Sequence, residues 1–252
     1  MLIDTHCHLD HLEHKPLEQI LADAEEVGVN KFLCIGASKG EESCKIASEL
    51  SIKHENIWAS IGVHPHDAGK TALADVADLA KNEKVVAIGE TGLDYFKEWS
   101  DFDDQKKLFK DSITLAKELN KPLIIHNREA DADTIKILKD LDAKKVGGVF
   151  HCYSRPADFA AEILKLNFMV SLTGMITFKR NNELREEIRK IPLEQIMLET
   201  DCPYMAPEPH RGKPAEPMHV FNIAQKLAEI KSISLEQVAE RTSANAFNLF
   251  GI

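Results

Sequence analysis

Short apolar runs alternate with amphipathic helical stretches along all 252 residues, and no other feature of the chain narrows its fold as much. The runs at 2–8, 31–36, 57–62, 85–90, 122–126, 147–151, 168–172 and 196–201 are dominated by Val, Ile, Leu and Phe. Bounded by helical segments, they read as parallel strands buried on both faces. Between the first two runs, Leu17, Ile20, Leu21, Ala24 and Val27 make an apolar stripe at helical spacing, which Gly28 closes. Segments 41–50, 72–81, 104–119, 133–141, 157–166 and 182–190 repeat that pattern, and helices at 219–230 and 235–249 finish the chain. Eight strand–helix units in this length predict an α/β protein, a single-domain (β/α)8 TIM barrel over residues 1–252.

The strands carry a second pattern at their carboxyl ends. The first ends in His6 and His8, which share one face because successive strand side chains alternate. Others run into Glu90, His126, His151 and Asp201. Parallel strands aim their carboxyl ends at one crevice, so these six positions predict a shared metal centre there. Cys7, Cys152 and Cys202 each adjoin an expected ligand, but neighbouring strand side chains point to the opposite face, into packing.

Composition limits the partners. A formal net charge of −10 excludes a broad basic coat for nucleic acid or anionic membrane, so a polyanionic substrate has to be held locally. Five cysteines without Cys-x-x-Cys spacing read as reduced thiols. Asp4, Asp10 and Glu13 interrupt the first fifteen residues, and no apolar run is long enough to span a bilayer. A cytoplasmic enzyme with no membrane and no obligatory protein partner is expected. After Asp201, five prolines between Pro203 and Pro217 surround Arg211-Gly212-Lys213 and predict a stiff loop beside the site.

Five stretches, in order along the chain, resemble the TatD family of metal-dependent deoxyribonucleases, a branch of the amidohydrolase-like barrels. They are Ile3-Asp4-Thr5-His6-Cys7-His8-Leu9-Asp10, Ile61-Gly62-Val63-His64-Pro65-His66, Ile88-Gly89-Glu90-Thr91-Gly92-Leu93-Asp94-Tyr95, Pro122-Leu123-Ile124-Ile125-His126-Asn127-Arg128 and Leu198-Glu199-Thr200-Asp201-Cys202-Pro203. The resemblance implies a two-metal site in which His6, His8 and Asp201 hold one ion, His126 and His151 hold the second, and Glu90 bridges both. It implies DNA, single-stranded or frayed at its ends, as substrate. Magnesium, manganese and zinc remain open as the two divalent ions. The chain departs from the family pattern at Arg155, where Gly is frequent, and at Pro214-Ala215, where the Arg-Gly-Lys motif normally continues to Asn.

Two divalent ions suit phosphodiester hydrolysis because they spread charge over the phosphoryl oxygens without a nucleophilic side chain. Asp201 and Glu90 are then the expected catalytic residues, with Asp201 orienting and deprotonating the attacking water. Arg128, two residues past His126, is expected to fork onto a phosphate oxygen. His64 is expected to contact substrate or support a ligand, and Arg211, with His210 and Lys213, to meet the nucleic-acid backbone. Asp4 and Glu199 share a face with His6 and Asp201 by spacing and are expected to orient histidine rings. Tyr95, Phe96, Trp99 and Phe102 either stack on a base or pack over the barrel. The alternative activity is amide or ester hydrolysis, for example a D-aminoacyl-tRNA deacylase; a purely structural metal is disfavoured by the carboxylate-rich donor set.

Overall fold

The computed structural model describes residues 1–252. Eight strands form one sheet in sequential order: β1 (Leu2–Cys7), β2 (Val29–Gly36), β3 (Ile57–Ile61), β4 (Val85–Asp94), β5 (Leu123–Arg128), β6 (Gly148–Phe150), β7 (Phe168–Leu172) and β8 (Ile196–Leu198). The strands are parallel and helices separate them, so the architecture is the expected (β/α)8 barrel. Every residue of β1 is buried, as a strand covered on both faces requires.

The chain packs into two compact units. One comprises Met1–Leu33, Cys152–Glu162 and Met169–Gly251. Within it α1 (Leu17–Glu26), most of α6 (Ala157–Leu164), α7 (Asn182–Lys190), α8 (Val220–Lys231) and α9 (Leu235–Phe250) accompany β1, most of β7 and β8. Here the barrel closes: the Asp201 N–H donates to the His6 carbonyl at 2.9 Å, and the His8 N–H donates to the Cys202 carbonyl at 3.0 Å. Ser234 and Gln237 form a capping box at the start of α9, satisfying end N–H groups that the helix itself cannot.

The other unit, Cys34–His151 with Ile163–Phe168 and Ile252, holds β3 to β6, α2 (Glu41–Lys53), α3 (Leu73–Val76), α4 (Phe102–Leu119) and α5 (Asp131–Asp140). Asp101 caps α4, accepting from the N–H groups of Asp103 and Asp104, and Asn120 ends it in the left-handed conformation. The helix expected at 72–81 is instead the single turn of α3 and a 3₁₀ turn at Leu79–Lys81. Only Val76 and Ala80 are buried in that stretch. Strand β4 runs four residues past its expected end and pairs with β5 as far as Asp94 opposite Arg128. Its register slips between Ile88 and Thr91, a bulge that falls at Glu90 and re-aims that side chain. No helix is long and apolar enough to cross a membrane.

Candidate metal centre

In the first unit, β1 delivers His6 and His8, and the chain leaving β8 delivers Asp201. Asp201 lies three residues beyond the strand with φ +56°, so a left-handed turn rather than strand alternation sets its direction. Its Oδ1 is 3.7 Å from His6 Nε2 and 3.5 Å from His8 Nε2, and all three residues are buried. Cys7 points away, donating its thiol to the Leu33 carbonyl.

Asp4 acts on main chain and a hydroxyl, where an imidazole contact was expected, whereas a carboxylate oxygen of Glu199 lies within 4.8 Å of a His6 ring nitrogen. Asp4 accepts from the Thr200 N–H at 2.9 Å, the Thr200 hydroxyl and the His6 N–H at 3.3 Å, fixing the residues on which His6 and Asp201 depend. Burial pushes its carboxyl up to about 8, against those hydrogen bonds. Glu199, fully buried, accepts from the Cys152 N–H at 2.6 Å and from the Ser171 hydroxyl.

In the second unit, one oxygen of Glu90 gathers imidazoles from three strand ends. Glu90 Oε1 is 2.8 Å from His151 Nε2, 2.9 Å from His126 Nδ1 and 3.5 Å from His64 Nε2. Burial opposes the charge on Glu90, but His151, His64 and His126 outweigh it and hold the carboxyl well below its usual range. His64, on the loop after β3, is thereby as well placed to be a donor as the expected ligands. Burial lowers the pKa of His64; that of His126 is raised, because Asp94 and Glu90 overcome its burial.

Asp94 and His66 escaped the sequence reading. Asp94 Oδ2 lies 3.0 Å from His126 Nε2 and 2.9 Å from His66 Nε2, so a carboxylate holds the His126 nitrogen opposite the one that faces Glu90. This is the carboxylate–histidine arrangement that orients a metal-binding imidazole. Burial works against the charge on Asp94, yet hydrogen bonds from His126 and His66 hold its carboxyl far below the usual range. The signal was present, since Glu90, Gly92 and Asp94 alternate along one strand, but the strand was expected to stop at Glu90.

The donor set fits divalent metal ions: imidazole nitrogens and carboxylate oxygens converge in triads, the first buried and the second half-buried at His126, and no thiolate joins them. The six expected positions thus form two triads, His6–His8–Asp201 and Glu90–His126–His151, each within one unit.

The basic residues expected at substrate are held by aromatic rings. The Arg128 guanidinium lies 3.6 Å over the Phe96 ring. Arg211 lies 3.8 Å over Phe178 and donates to the Ala206 carbonyl, so it braces the proline-rich loop. His210 stacks on His219 with ring centroids 4.3 Å apart, beside a cavity of about 270 Å³ that Lys213 also lines. His219 is buried and its Nδ1 accepts from the Glu216 N–H at 3.0 Å; burial, with the nearby His210, lowers its pKa to about 4.

The unfolded chain therefore takes up a proton at His219 from about pH 6.5 downward, whereas the folded chain does so only near pH 4. Stability from this group is present above pH 6.5 and is lost as pH falls toward 4. Chemical denaturation of wild type and His219→Asn, which keeps an acceptor near Nδ1, is expected to show an acid-dependent loss about 2 kcal/mol larger in wild type. Parallel pH profiles would refute it.

His and carboxylate clusters at the strand ends of a (β/α)8 barrel define a metal-dependent hydrolase. The TatD-related DNase family profile matches residues 3–251, and the chain belongs to the TatD family. Among its relatives, the uncharacterized metal-dependent hydrolase YabD of Bacillus subtilis (strain 168) is 41% identical, with both chains fully covered. The 3'-5' ssDNA/RNA exonuclease TatD of Shigella flexneri serotype 5b is 32% identical, with 94% of each chain covered. The solved structure of YjjV, a TatD homologue from Escherichia coli K12, superposes with a TM-score of 0.91 at 28% identity over 100% of this chain and 98% of that one.

Proposed function

We propose that this metal-dependent hydrolase is a deoxyribonuclease that cleaves phosphodiester bonds of single-stranded or frayed DNA. The convergence of His151, His126 and His64 on one oxygen of Glu90 carries the reading, because such a ring of donors serves a cation and not a nucleophilic side chain. The Shigella relative acts on single-stranded nucleic acid by its name, which supports the same substrate. His6, His8 and Asp201 would hold one divalent ion, and Glu90, His126 and His151 a second. Magnesium, manganese or zinc, when bound, supplies positive charge to the phosphoryl oxygens and acidifies water.

The remaining chemistry falls to the chain. Asp201, one of whose oxygens faces His6 and His8, uses its second oxygen to orient the attacking water and accept its proton. Asp94 fixes the His126 ring. Arg128, pre-set on Phe96, points its fork of donors at a phosphate oxygen.

The test incubates purified protein with single-stranded DNA or aminoacyl-tRNA, each with magnesium, manganese, zinc or EDTA, and measures bound metal alongside the products. Nucleotide release is expected with a divalent ion and a loss of at least ~10³-fold in EDTA. Release of the amino acid while DNA stays intact would establish the deacylase instead.

A further inference from the structure

We propose that the loop following β4 is a stacking platform for unpaired bases, with Phe96 and Trp99 receiving the bases and Lys97 and Arg128 the adjoining phosphates; this rests on the nuclease reading above. The four aromatic residues that follow β4 separate into two roles. Tyr95 and Phe102 pack on each other at 4.5 Å, and the Tyr95 hydroxyl donates to Asp133 at 2.8 Å. Phe96 and Trp99 are instead 45% and 56% exposed, among the few large apolar side chains left to solvent. Stability does not explain that display, because exposed ring surface gains nothing from burial.

Nor is the loop slack. The Phe96 N–H donates to Asp94 at 3.0 Å, and the Ser100 hydroxyl donates to the Pro65 carbonyl at 2.6 Å. The Lys70 ammonium bridges the carbonyls of His66 and Trp99 at 2.9 and 3.2 Å. Two rings are thus presented on a backbone fixed at both ends of the loop, which lowers the ordering cost of any ligand that stacks on them.

Charge and position select the ligand. The Lys97 ammonium lies 5.8 Å from the Phe96 ring and 5.6 Å from the Trp99 ring, and Arg128 covers one face of Phe96. Cations beside open π faces match alternating bases and phosphates, on a chain whose net charge of −10 otherwise repels polyanions. The Trp99 ring is 5.7 Å from that of His66, which meets Asp94, which in turn meets His126. A strand stacked there therefore lies two side chains, His66 and Asp94, from the candidate ligand His126. Bases inside a duplex do not expose their faces, so the platform selects single strands.

The test measures binding of a fluorescein-labelled, phosphorothioate-linked octathymidylate to the full-length protein as purified, by anisotropy. Trp99→Ala and Phe96→Ala are each expected to weaken binding about tenfold, and Trp99→Phe to restore it to within about threefold. Wild type should bind a base-free backbone of the same length, or a duplex, at least as weakly as Trp99→Ala binds the octamer. Equal affinities across wild type and variants, no binding by wild type, or equal affinity for duplex would each overturn the platform. Trp99-dependent binding without cleavage under any metal would retain the platform and remove the nuclease activity; cleavage with Trp99-independent binding would remove the platform alone.

Discussion

Replacing Asp201 by Asn is expected to lower kcat/KM on single-stranded DNA about 10³-fold while the protein stays folded. Asn keeps the shape of the side chain, and the hydrogen bonds that close the barrel at this residue use its main chain, so they survive. On the proposed mechanism the lost charge would remove the base that receives the proton from water and weaken the attraction to a cation held beside His6 and His8. Metal content measured on the same preparation separates the two roles. Bound metal with turnover near wild type would take Asp201 out of proton transfer, and loss of metal together with turnover would leave it a ligand only.

Gly92→Ala is expected to destabilise the protein by about 4 kcal/mol, lowering the melting temperature by roughly 10 °C. Gly92 has φ +140°, a conformation that side chains resist, and an added Cβ would sit 2.0 Å from the His126 carbonyl oxygen. That atom belongs to the backbone of β5, paired with β4 at this position, so it cannot swing aside. Any relief has to move His126 away from Glu90 and Asp94, so activity should fall with stability. A melting curve that matches wild type would refute the argument.

Much of the barrel was legible because its signals are local. A continuous apolar run such as Leu123-Ile124-Ile125 reads as a buried strand wherever the rest of the chain goes, and all three residues are buried. Segment 182–190 likewise carries its helical pattern within itself and forms α7 with the same bounds. Segment 72–81 instead breaks into the single turn of α3 and a 3₁₀ turn, although it buries Val76 and Ala80 where α7 buries Ile188 alone, so its interruption was not legible in local periodicity.

The candidate site divides along the same line. Alternation along β1 brings His6 and His8 together, and the strand-end rule locates Glu90, His126 and His151. Asp94 was missed because β4 continues through a bulge, and whether a strand ends or bends is decided by its partner β5. Asp4 was expected to face an imidazole because spacing gives only the face of a strand. Which groups stand opposite, here the Thr200 backbone and hydroxyl, depends on neighbours far along the chain.

The order of residues by itself determined the alternating elements, the barrel class and which side chains stand at strand ends, since these follow from periodicities of two and 3.6 residues. Only the tertiary structure decided that Glu90 collects three imidazoles, that Asp94 anchors His126, and that Phe96 and Trp99 face solvent while Tyr95 and Phe102 pack. Those outcomes depend on register, bulges and left-handed turns, where angles at a few residues re-aim side chains by ångströms.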